Sequence, residues 1–100
     1  DLQVVGCGMS GVYAYYNSTV KLSGEDTSIR GNCTKGNSWN YGLDVSSDCK
    51  MQLVSPLTKE QISTNNGGGE NWGGDGTIEQ IDEIGVVLQI VYQGEETDDY

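Results

Sequence analysis

The sequence predicts a mainly β domain, an antiparallel sheet or small sandwich carrying one or two short helices, with an α+β arrangement as the alternative. Three observations carry this. Fifteen Gly and one Pro make the chain rich in turns. β-Branched residues outnumber Ala and Leu, which favours strands over long helices. Short alternating apolar runs recur between clusters of Gly, Asn and Ser, the spacing of antiparallel sheet. One hundred residues make one domain. Such a chain buries only about 60–65% of its unfolded surface, so its core is small. With no Phe present, that core must come from Val, Ile, Leu, Tyr and Trp.

The elements follow in order. "LQVVGCGM" reads as a first strand ending in a glycine pair. "GVYAYYNS" alternates, with Val12, Ala14 and Tyr16 on one face and Tyr13 and Tyr15 on the other. "STVKLSG" continues, Val20 and Leu22 facing alike, and a turn at "SGED" leads to "TSIRGNC". "TKGNSWN" is turn material, followed by strands "YGLDVS" and "CKMQLV". At "SPLTKEQI" the pattern changes: Ser55 can cap and Pro56 suits a first helical position, so a helix of two turns is expected. "STNNGGGENWGG" then reads as a long glycine-rich loop, mobile over about 63–76, in a compact domain of 1–94. In "TIEQIDEI" the spacing of Ile78, Ile81 and Ile84 fits a helix over 78–84, with Thr77 and Gln80 as a capping box. The rival is a hairpin with "DEIG" as its turn and Gly85 left-handed. "VVLQIVYQ" is a buried strand over 86–92, and 95–100 is an acidic tail.

Charge is unevenly spread. Residues 1–59 carry five acids and five bases, whereas 60–100 carry ten acids and no base, so the net charge of −10 belongs to the second part. Such a field repels phosphate backbones, and no nucleic-acid partner is expected. No apolar run approaches the ~20 residues of a membrane span. The chain begins at Asp1 without Met, which reads as a mature fragment freed from a leader or pro-segment.

Cys7, Cys33 and Cys49 have neither CxxC spacing nor a His to join them, so zinc is a poor fit. One disulfide with one thiol left over is the expectation, all three pairings being open. A Cys33–Cys49 bridge would contribute about 3 kcal/mol in the chain-entropy picture. The odd thiol is either buried or linked to a second chain. Sequons at Asn17 ("NST") and Asn32 ("NCT") add to an exported, secreted reading.

One stretch suggests a cation. In "NWGGDGTIEQID", Asp75 and Gly76 fall at the fifth and sixth positions of a twelve-residue calcium loop, Thr77 at the seventh, Glu79 at the ninth and Asp82 at the twelfth. The segment "GDGTI" with its following acid resembles the loops of EF-hand and dockerin modules, and the resemblance covers 71–82 alone. It implies a weak Ca2+ site at Asn71, Asp75, Thr77, Glu79 and Asp82. Asn71 replaces a carboxylate at the first position and Gly73 supplies no ligand at the third. The competing reading is a solvated glycine loop.

Aromatic residues suggest a contact surface. Tyr13 and Tyr15 share a strand face, as do Trp39 and Tyr41 if "SWNYG" is extended, and Trp72 stands in the glycine loop. Rows of Tyr and Trp stack sugar rings; in a chain without Phe the same tyrosines could instead fill the core. With no His, the Ser-His-Asp and Cys-His arrangements are absent, and no nucleotide motif or paired carboxylate stands out, so no enzyme activity is expected. The composite expectation is a secreted, disulfide-containing domain that recognises a cell-surface glycan or protein. A subunit of a secreted toxin or effector and a surface or filament subunit are the alternatives.

Overall fold

The computed structural model describes residues 1–35 and 38–94; the acidic tail at 95–100 lies outside the described residues. The mainly β expectation holds: among the described residues ten short strands accompany one short helix, with β1 Gln3–Val5, β2 Val12–Ala14, β3 Thr19–Leu22, β4 Ser28–Arg30, β5 Tyr41–Val45, β6 Lys50–Val54, α1 Lys59–Ile62, β7 Ser63–Thr64, β8 Glu70–Gly73, β9 Thr77–Ile81 and β10 Val87–Gln93.

The pairing departs from expectation. β1, β4 and β7 form one parallel sheet, β2, β5 and β8 a second, and β3, β6 and β9 a third; among the described residues only β10 runs antiparallel, along β9. The chain therefore winds as three stacked coils of three strands each, a parallel β-helix. The antiparallel sandwich is corrected for a physical reason. Period-two alternation reports that one face of a strand is buried, and says nothing of the direction in which its neighbour runs. Here the turns after each strand bend the chain round a corner onto a new face, instead of reversing it. Each coil then returns beside its predecessor in the same direction.

The interior is aliphatic. Ala14, Leu22, Ile29, Leu43, Val45, Met51, Leu53, Leu57, Ile62 and Ile78 form one buried cluster, joined by Cys49. Tyr13, Tyr15 and Tyr16 are all exposed, so the core reading of the tyrosine row fails. Coils of this kind interlock aliphatic side chains from successive rungs, and the small core needs no aromatic filler.

A polar column closes one corner. Asn32 is almost wholly buried. Its Oδ1 accepts from Cys7 N–H at 2.9 Å, and its Nδ2 donates to Val4 O at 3.0 Å and Asn66 Oδ1 at 3.1 Å. Asn66 repeats the pattern one coil on, donating to Ile29 O, Ser63 Oγ and Asn71 Oδ1 and accepting from Asn32 N–H. Chain that turns a corner cannot extend the strand ladders, so its buried amides need side-chain partners. A carboxamide, with both donors and acceptors, serves two coils at once.

Three local expectations change. α1 has a single turn, capped by Thr58, whose Oγ1 accepts from Gln61 N–H. The supposed loop at 63–76 contains β7 and β8. The stretch 78–84 is strand and turn, as in the hairpin reading: β9 ends at Ile81, Asp82 Oδ1 accepts from Ile84 and Val86 N–H, and Gly85 has φ 97°. The spacing of three misleads because the three isoleucines share no face. Ile78 belongs to the main cluster, Ile81 is buried outside it, and Ile84 is exposed. β10 was read as buried, yet Val87, Leu88 and Ile90 are about half exposed, and only Val91 and Tyr92 pack on the core.

Candidate ligand-binding groove

The face made by β2, β5 and β8 gathers the aromatic residues round one carboxylate. Tyr13, Asp44 and Gly73 occupy one register across the three strands. Gly73 has no side chain to fill its place, and a Cβ there would stand 2.4 Å from Tyr41 Cε1, so the Tyr41 ring lies flat on β8. Asp44 thus sits between Tyr13 on one side and the Tyr41-covered glycine on the other. Only 9% of it remains exposed.

The corner before β2 supplies the next group. At Gly11 an added Cβ would fall 2.6 Å from Ile29 Cγ2 and 2.8 Å from Gly42 O. The glycine lets the corner press against the second coil, and this sets the position of Ser10. Ser10 Oγ donates to Asp44 Oδ2 at 2.8 Å and accepts from Tyr41 N–H at 3.2 Å. Burial pushes the Asp44 carboxyl above the usual carboxylate range; the Ser10 bond opposes that, and the charge of Asp75 adds to it. Burial and then the Asp44 charge raise Tyr13.

Met9, Ser10, Tyr13, Trp39, Asn40 and Asp44 line a groove of about 410 Å³. Trp39 is 77% and Tyr13 54% exposed, so both rings present faces to solvent. Tyr15 continues the row, its ring centroid 5.5 Å from that of Tyr13, and Tyr16 follows 6.3 Å beyond. Among the described residues no Lys or Arg lines this groove. Of the predicted contact residues, the fold brings Tyr13 and Trp39 to the groove, sets Tyr15 beside it and uses Tyr41 as support. Trp72 is elsewhere: it lies in β8, half-buried against the core, with Lys59 Nζ 4.4 Å from its ring centroid. Ser10, Asn40 and Asp44 were not foreseen. Asp44 left one trace, an acid alternating with Leu43 and Val45 in an apolar strand.

The calcium loop is corrected. Residues 77–81 are extended strand, which spaces their side chains along a sheet where a calcium loop would curl them round an ion. Asn71 Oδ1 is taken by Asn66, Glu79 is buried with Gln52 at 3.0 Å and Lys50 at 3.9 Å, and Asp82 holds the β9–β10 turn. Asp75 and Thr77 line a separate hollow of about 520 Å³ with Asp48, Lys50 and Gln93. Among the described residues no group of three or more His, Cys, Asp or Glu is placed to hold a metal ion.

The cysteines are free, which corrects the expected disulfide. Cys33 and Cys49 are buried and Cys7 is partly exposed. Cys7 and Cys33 lie on stacked corners, joined by Thr34 N–H to Cys7 O. Burial raises the Cys33 thiol, with Asp44 and Cys7 adding to the effect. The sequons separate as well. Asn17 is exposed on a turn, whereas the carboxamide of Asn32 is enclosed in the polar column, where a glycan has no room. Among the described residues no helix is long and apolar enough to cross a membrane.

Comparison with family models, with curated proteins and with solved structures returns no match.

Proposed function

We propose that this chain is an extracellular carbohydrate-recognition domain that holds a sugar ring in the groove between Tyr13 and Trp39. The observation that carries the reading is the arrangement itself: two exposed aromatic faces beside a carboxylate fixed by Ser10. A pyranose offers an apolar ring face and a rim of hydroxyls. The aromatic faces suit the first, and Asp44 and Asn40 suit the second. Recognition without bond cleavage is the activity we propose, since among the described residues lining the groove Asp44 is the one carboxylate and paired-carboxylate hydrolysis needs two. The exposed sequon at Asn17 supports an extracellular setting.

Glycan-array binding tests this, followed by titration of the best oligosaccharide. Tyr13→Ala and Trp39→Ala should each weaken binding about tenfold, given the ~0.5–1.5 kcal/mol of an aromatic stacking contact beyond its buried area. Folded variants that bind as well as the wild type, or an array without any binder, would refute the reading.

One further observation favours a second reading, the surface or filament subunit. β10 is the outer strand of its sheet, and Ile84, Val86, Leu88 and Ile90 beside its open edge are all more than half exposed. Open apolar edges invite strand pairing between molecules.

A further inference from the structure

We infer that the groove selects sugars bearing a free, protonated amine, so that its ligand class is an oligosaccharide of hexosamine units that are not N-acetylated. The inference rests on the carbohydrate reading and sharpens it. Three features meet at one place. Asp44 is a largely buried residue that still lines the groove, so the ligand approaching it meets a carboxylate already stripped of part of its water. A neutral hydroxyl offers such a group a hydrogen bond alone, whereas an ammonium adds direct attraction between opposite charges to that bond. Tyr13 and Trp39 border the same space, and aromatic faces attract cations through their quadrupoles.

Charge around the groove points the same way. Among the described residues no Lys or Arg lines it, and Asp75 acts on Asp44 as a further negative charge. The net charge of −10, carried by residues 60–100, adds a general field that favours cationic ligands over uronic or sulfated sugars. Ser10 completes the arrangement. Its hydroxyl donates to Oδ2 while accepting from Tyr41 N–H, which holds the carboxylate in place before the ligand arrives. The preference would therefore come from one positioned group within a general attraction, and the two contributions are separable.

The test compares a short glucosamine oligomer with its fully N-acetylated counterpart of equal length, by calorimetric titration at near-physiological salt. The wild type should prefer the amine form at least about tenfold, the scale of one charge-assisted hydrogen bond. Asp44→Asn keeps an acceptor for Ser10 and should abolish the preference while neutral binding persists. Glu25→Gln, which removes one charge at an exposed site away from the groove, should leave the preference intact. Ser10→Ala serves as a second variant, and should reduce the preference by loosening Asp44. Equal binding of both oligomers by the wild type would overturn the inference and leave the carbohydrate reading standing. A preference that survives both Asp44→Asn and Ser10→Ala would assign it to net charge and overturn the role of Asp44. Binding of neither oligomer, with no other array hit, would remove both readings together.

Discussion

Asn32→Ala is the substitution that most directly tests the stacked-coil architecture. The side chain makes three bonds, to Cys7 N–H, Val4 O and Asn66 Oδ1. Alanine removes all three and leaves at least the Cys7 amide and the Val4 carbonyl seeking partners at a partly buried corner. Each orphaned group costs about 1–3 kcal/mol, and a small void adds to that. A loss of about 3–5 kcal/mol is expected, a large part of the 5–15 kcal/mol typical of a domain. With a urea m-value of ~1–3 kcal/mol/M, the midpoint should fall by at least about 1 M. Two companions isolate the cause. Thr34→Ala destroys the same sequon from an exposed position and should change stability by less than about 0.5 kcal/mol. Asn32→Asp keeps the acceptor for Cys7 but turns a carboxylate toward Val4 O and Asn66 Oδ1, so it should match the alanine loss at neutral pH and recover in acid. Urea denaturation followed by circular dichroism reads all three. An Asn32→Ala protein within about 1 kcal/mol of wild type would refute the claim that the polar column holds the coils together.

Other outcomes follow from the same structure. The Asp44 carboxyl is raised in the folded protein, so its ionisation opposes folding above that value and the penalty disappears as pH falls below the unfolded value. Asp44→Asn should therefore raise the melting temperature near neutral pH, with the gain vanishing in acid; an unchanged or lowered neutral melting point would contradict the burial of the group. Thiol titration should count three free sulfhydryls in denaturant. In the native protein Cys7 should react first, and Cys33 slowly because its raised pKa leaves little thiolate; a count of one would reinstate the disulfide. Leu88→Lys places a charge on the exposed apolar strand β10, and should suppress any concentration-dependent association seen by light scattering without altering the monomer's stability by more than about 0.5 kcal/mol. Association equal in wild type and variant would argue that β10 is not the contact.

The first six strands and β10 were largely legible because each has a local cue. Val12 and Ala14 alternate with Tyr13, Met51 and Leu53 with Gln52, and Gly or Asn punctuates the ends. What the sequence withheld is non-local. Nothing in "YGLDVS" reveals that Asp44 will stand level with Tyr13, because the register between coils is set by corners of unequal length. Gln3 pairs with Ser28, yet Ile29 pairs with Ser63, so no fixed period marks the coils. β7 and β8 were hidden by their composition. Ser63, Asn66 and Asn71 look like loop residues, and they are buried or half-buried because they serve the polar column. Tyr13 and Trp39 were recognisable as contact residues by type; Trp72 was misjudged because Lys59, distant in sequence, covers it.

The winding of the chain has a mechanical corollary. Each coil touches only the one before and the one after, since the first meets the second along β1–β4, β2–β5 and β3–β6, and the second meets the third in the same way. Cohesion in such a stack accumulates neighbour by neighbour. The middle winding, gripped from both sides, should hold its amide protons longest, while the outermost turn near the amino terminus should exchange them first, so that the protein comes apart by peeling from its ends like an unwound spring.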